Sequence, residues 1–358
     1  LRDNRPFEFA QPSDNRSMPK LPAHWIRRAK LVARPVMLAL VVWFVQGAAR
    51  EGWRKLSERI DAGQWSFDRL EWGWLLLAAA LYSLGQLPNG LFWRKILAGL
   101  GQRVPTAAVL RAFYIGHLGK YVPGKAMVVV MRTGMLVRHG AKAGPAAVSV
   151  FYETLSMMAV GAALSALLLV IALPEQRQWL WGALAVAAIT GLPTVPPIFE
   201  QIIRRLRIGK GDEASASHAV AGLGLPVFLQ GWLLLTVGWA MLGLSVYAAM
   251  RAGGFTSTAP FANQWTIGTA AAALSVVIGF LSFIPGGFGV RDGVLFTVLT
   301  WQYDEASAMV TAILVRLIWL VAELLVSIIL YRAAGSPAVD KALPTDSADV
   351  YEAADAEP

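Results

Sequence analysis

Over 358 residues the chain is 56% hydrophobic and only 15% charged, well below the roughly one quarter charged residues of a soluble domain. It holds no cysteine, which excludes disulfides and thiol ligands. Its formal net charge of +9 comes from residues that flank apolar stretches, which argues against nucleic acid and for anionic lipid headgroups as partners.

Residues 1–34 carry eight Lys/Arg against three acids, with no apolar stretch of the signal-peptide kind. They read as a basic cytoplasmic tail abutting a first span at 35–49, which puts the N-terminus on the cytoplasmic side of the cell membrane. A loop of balanced charge follows, then a span at 72–93 with interfacial tryptophans at both ends. Further spans are expected at 145–173, 178–198, 222–250, 264–284 and 306–331, each near the length of about 20 apolar residues that crosses a bilayer. Arg204, Arg205, Arg207 and Lys210 mark the loop after the fourth span as cytoplasmic, whereas Arg177 and Arg251 stand alone in short connections and fit the outside. Five basic residues within 50–71 fit this orientation poorly. From 333 to 358 six acids face one lysine, the composition of a disordered acidic tail. The expectation is therefore an all-α polytopic integral membrane protein with a transmembrane domain over 35–332 and about seven or eight transmembrane helices.

Two segments do not read as ordinary spans. Residues 106–140 and 280–300 are apolar but broken, at Pro123-Gly124 and at Pro285-Gly286-Gly287 with Gly289 following. Proline and glycine interrupt a helix, and broken backbone at membrane depth survives only against protein or a water-filled cavity. Re-entrant or discontinuous helices are expected at both; the second could instead be a short span, for eight crossings. The breaks lie 162 residues apart, and each precedes a helix with one embedded charge, Glu153 or Arg316, of opposite sign. Paired interruptions in two halves mark a repeat-built transporter. The alternative is coincidence, because Pro-Gly is a common turn pair.

Between Glu71 and Glu153 there is no carboxylate, yet nine basic residues occur. Lys125, Arg132 and His139 are spaced seven apart, one face of a helix. Embedded cations without local anions suit a phosphate, so Lys120, Lys125 and Arg132 are the candidate lipid-phosphate ligands; positive-inside decoration accounts for Arg94 and Lys95. In the second break the glycines allow close backbone approach to an anion, and a helix starting near Val290 would aim its positive end there. Asp292 could cap that helix or pair with Arg291 or another cation. Glu153, Arg316 and Glu323 lie in long apolar helices, where a charge costs several kcal/mol unless it pairs. Arg316 and Glu323 are two turns apart on one helix, so Glu153 with Arg316 is the expected pair. Four scattered histidines give no metal spacing, and no nucleophile–base arrangement is legible, so no catalytic residue, metal or cofactor is assigned. Asp61, Asp68 and Glu71 in the first loop would suit a membrane glycosyltransferase, but a solvated loop is the preferred reading of them.

The runs Leu118–Lys125 (LGKYVPGK) and Ile284–Asp292 (IPGGFGVRD), with the helices bearing Glu153 and Arg316, resemble the lysylphosphatidylglycerol synthase transmembrane region family. That family includes the flippase half of the multiple peptide resistance factor. The most specific match is Pro285-Gly286-Gly287 followed by Gly289, Arg291 and Asp292; the glutamate helix, often Glu-Arg in the family, here reads Glu153-Thr154. The resemblance implies a polytopic helical fold and lipid binding or flipping, with membrane lipids and a separate lipid-modifying enzyme as partners. It does not imply a synthase. The expected function is that of a flippase-like membrane protein binding or translocating a phosphate-bearing lipid, either an aminoacyl-phospholipid or a polyprenyl-linked lipid. The alternative is a membrane glycosyltransferase or an accessory subunit of a lipid-modifying enzyme.

Overall fold

A computed structural model describes residues 46–333, apart from 48–49, 51–52, 56, 64, 123–125, 173–177, 206–222 and 283. The basic tail, nearly all of the first expected span, Pro123-Gly124-Lys125, Arg207, Lys210 and the acidic tail beyond Ala333 lie outside the described residues. Among the described residues there are no strands and eleven α-helices. These are α1 (Trp72–Gly85), α2 (Leu87–Gly99), α3 (Thr106–His117), α4 (Ala126–Val137), α5 (Ala143–Ala172), α6 (Gln178–Gly191), α7 (Pro196–Arg205), α8 (Leu225–Ala252), α9 (Phe261–Leu281), α10 (Val290–Leu299) and α11 (Glu305–Ala333).

Five helical runs are long and apolar enough to cross a membrane: α1 continuing into α2, then α5, α8, α9 and α11. The longest has 30 residues, or about 45 Å at 1.5 Å per residue. Helices this apolar on every face are buried by neighbours and lipid together. The α8–α9 contact shows how close they come: a Cβ on Gly243 would sit 1.9 Å from Thr269 Oγ1, the small-residue packing that helices use in lipid. The span expected at 178–198 is shorter than its hydropathy suggests. Here α6 stops at Gly191, a 3-10 turn Leu192–Thr194 carries Pro193, and α7 sets off anew. Proline removes the hydrogen bond that would continue the helix.

The chain ends of the bundle follow from contacts. The Glu71 N–H donates to the Ala252 carbonyl at 2.9 Å, so the start of α1 and the end of α8 share one end, the Glu71 end. Near the opposite end Lys95 of α2 bonds Gln230 of α8 at 2.9 Å. From there α3 starts inward. With 12 residues it reaches only about 18 Å, roughly half the 30 Å hydrocarbon core. A 3-10 turn Leu118–Tyr121 ends it, and α4, equally short, returns against it. Gly119 closes this tip: a Cβ there would lie 2.8 Å from the Val128 backbone nitrogen. The second broken segment makes its own hairpin from the Glu71 end. There α9 runs inward, the chain turns through Pro285–Gly287, and α10 packs back along α9. Gly286, Gly287 and Gly289 have φ of 61°, 66° and 76°, the left-handed region that glycine adopts without penalty. With 10 residues, α10 covers about 15 Å, so it re-enters and does not span. The two hairpins thus come from opposite ends and touch tip to tip, Tyr121 against Gly286.

Candidate functional site

Each hairpin is followed by a long helix, α5 or α11, and each return limb is ion-paired to it. On α4, Arg132 Nη1 donates to Glu153 Oε2 of α5 at 2.8 Å, with both residues 2% exposed. On α10, Asp292 accepts from Arg316 of α11. The arrangement is the same with the signs exchanged, which is what an internal repeat would leave. The expected Glu153–Arg316 pair does not form. Their matching positions after the two breaks are real, but each binds its own hairpin because the return limb lies directly against the helix that follows. Asp292 takes both roles considered for it. It also accepts from the Gly289 N–H at 3.3 Å and so caps α10. Arg316 stacks over Phe288 at 4.6 Å, and the Arg132 guanidinium lies 4.2 Å from the Phe113 ring centre and 5.2 Å from that of Trp93. Arg132 Nε is buried without a partner.

Glu323 gathers donors from three elements. Tyr82 of α1 donates to it, Tyr121 Oη does so at 3.0 Å, Lys120 Nζ lies 2.5 Å away, and His117 Nε2 stands at 3.8 Å. The stretch from Glu71 to Glu153 lacks carboxylates only along the sequence. In space, α5 and α11 bring one to Arg132 and one to Lys120, because an unpaired cation at membrane depth costs several kcal/mol.

A cavity of about 180 Å³ lies between the hairpin tips and α5, roughly six water volumes. Lys120, Arg132, Arg291, Glu153 and the Gly286-Gly287 turn line it, and the half-exposed Phe151 and Ile284 sit on its apolar rim. Arg291 stacks 4.4 Å from the Trp319 ring centre and has no carboxylate within ion-pairing distance among the described residues. Glu153 offsets Arg132 and Glu323 offsets Lys120, which leaves one positive charge over. A second, water-sized cavity of about 10 Å³ lies beyond the tip, lined by Tyr82, Ser83, Gln86, Tyr114, His117 and Glu323. His117 lines both cavities.

Of the residues singled out in the sequence, Lys120, Arg132, Arg291 and Glu153 meet in the larger cavity. Glu323 stands behind Lys120, and Asp292 with Arg316 lines a neighbouring cleft. Lys125, Pro123 and Gly124 lie outside the described residues. His139 is exposed in the turn after α4 and takes no part. Asp61, Asp68 and Glu71 are exposed at the Glu71 end, away from the cavity. Sequence reasoning missed His117, Tyr121 and Tyr82. The first two flank Lys120 in the carboxylate-free stretch, a usable signal; Tyr82 sits in an apolar helix and gave none.

Fold and site together define a polytopic α-helical membrane protein built around two opposed helical hairpins with a charged cavity at their tips. The family described as Lysylphosphatidylglycerol synthase TM region matches residues 31–327, and the chain belongs to that family. Membership places it among membrane proteins of lipid modification or translocation. No curated protein is found to match the chain.

Proposed function

We propose that the protein translocates a phosphate-bearing lipid, an aminoacyl-phospholipid or a polyprenyl-linked lipid, and is a transporter with no catalytic step of its own. The observation that carries this reading is the cavity between the opposed tips, with one cation, Arg291, left over from its ion pairs. A phosphodiester brings the single negative charge that Arg291 lacks, and a guanidinium can hold two phosphate oxygens at once. The volume admits a headgroup and excludes acyl chains, which stay in the bilayer beyond Phe151 and Ile284. Motion of the two hairpins past each other would open the cavity to either end in turn.

The orientation follows from charge. Arg103, Arg138, Lys142, Arg205 and Arg332 lie toward the end where α2 and α11 finish, whereas the other end sets Arg69 and Arg251 against Asp68, Glu71, Asp304 and Glu305; the basic residues of 50–59, on that second side, are the poor fit. We assign the first end to the cytoplasm by the positive-inside bias. The test is reconstitution in vesicles with labelled phospholipids and no added donor substrate. Donor-free translocation supports the transporter, whereas a product that appears only with a sugar or aminoacyl donor would replace it with the enzyme reading.

A further inference from the structure

Lys120 joins the two cavities. Its ammonium lines the larger one, while its carboxylate partner Glu323 lines the water-sized one. A phosphate seated in the larger cavity within reach of Lys120 therefore meets an ammonium already held by a carboxylate. Two anions cannot share it cheaply at this depth, because a desolvated carboxylate that loses its cation either keeps a costly charge or takes a proton. Resting on the lipid reading above, we propose that the protein couples anion binding to uptake of one proton, with the headgroup phosphate displacing Glu323 from Lys120 and Glu323 taking the proton.

The surroundings of Glu323 suit this exchange. Facing it are Tyr82 from α1, His117 from α3, and Lys120 and Tyr121 from the hairpin tip. The α8 helix packs there through Ser245, which accepts from Trp319 Nε1, and α10 presents Arg291 over the same Trp319. On its own helix Arg316 stands two turns away, occupied by Asp292. His117, 3.8 Å from Glu323 Oε1 and in contact with both cavities, is placed to pass a proton from water in the small cavity to the carboxylate. The tyrosine hydroxyls keep the protonated acid hydrogen-bonded, so neutral Glu323 is not stranded. Protonation also breaks the Lys120 ion pair between the first hairpin and α11 and leaves the Tyr121 hydrogen bond as the lighter tether, which ties proton uptake to the element that must move. Linkage is reciprocal: if the anion raises proton affinity, the proton raises anion affinity.

The experiment uses the full chain in detergent at weak buffering, with a short-chain phosphatidylglycerol and, separately, inorganic phosphate as probes. Proton uptake is read by an indicator dye and the carboxylic-acid band of Glu323 by infrared difference spectroscopy. The expected result is uptake of one proton per bound anion and binding that tightens as pH falls, about tenfold per pH unit while the proton is being taken up. In Glu323→Gln the infrared band and the pH dependence disappear, and binding is at least as tight as in the wild type at low pH, because Lys120 is already released. In Lys120→Gln binding weakens and proton uptake vanishes, which serves if the first variant does not fold. Anion binding with no proton uptake by wild type overturns the coupling and leaves the lipid reading standing. Coupled uptake with phosphate but not with the lipid keeps the coupling and removes the lipid reading. Binding of neither probe overturns both.

Discussion

Arg132 and Glu153 are buried together, so their energetics are asymmetric: removing one partner strands a charge, and removing both does not. Glu153→Gln should cost about 3–5 kcal/mol, read as a large fall in thermal stability. Arg132→Met with Glu153→Leu should recover most of that stability while translocation stays lost, because the cavity then lacks both charges. Thermodynamic cycles should show Glu153 coupled to Arg132 and Arg316 coupled to Asp292, with Glu153 and Arg316 additive. Outside the membrane, Asp304 caps α11: its carboxylate accepts from the Ser307 hydroxyl at 2.5 Å and the Ser307 N–H at 2.9 Å. Those bonds hold its carboxyl below the usual carboxylate range. A lowered value stabilises the fold above the ordinary aspartate pKa, about 3.9, and the contribution fades as pH falls through the folded value. Asp304→Ala should cost about 1 kcal/mol at neutral pH and flatten this acid dependence, measured by unfolding across pH. The embedded charges were legible in the sequence because charge in an apolar run is rare. Their partners were not, since Arg132 and Asp292 meet Glu153 and Arg316 only once each hairpin folds back.

Among the elements, hydropathy located the long helices well and the hairpins in part. The Pro-Gly breaks announced interrupted helices, but their directions depend on which end of the bundle the preceding helix finishes at, a property of the whole chain. The second hairpin has room on its far side: an apolar cavity of about 460 Å³ lies between α10 and α5, α6 and α9, lined by Gly293, Val277 and Trp301 among others. Gly293 and Thr297 of α10 line it and are exposed, so it is a groove open to the surface, and that side of α10 has room to shift. A Cβ on Gly293 meets nothing within 4 Å. Gly293→Phe should fill the space, leave thermal stability equal or higher, and slow translocation at least several-fold; an unchanged rate would mean that α10 does not move there. Gly119→Ala should act in the opposite way, forcing the first tip open against the Val128 backbone and lowering stability.

For the whole molecule, the two hairpins impose a testable symmetry on the membrane. The chain is free of cysteine, so single cysteines report topology cleanly. Thr258→Cys should react with an impermeant thiol reagent from outside intact cells, and Arg103→Cys should not; the reverse pattern would invert the orientation. The central claim is that the headgroup passes between the hairpin tips. It is tested most directly by joining them through Tyr121→Cys and Gly286→Cys, where a Cβ on Gly286 would lie 3.0 Å from the Tyr121 ring. A residue other than glycine there carries about 1–2 kcal/mol of left-handed strain, so the reduced double variant is the reference. Phospholipid translocation in reconstituted vesicles should fall to the level of empty vesicles when the tips are oxidised to a disulfide and return when it is reduced. Translocation by the oxidised protein at the reduced rate would contradict the account.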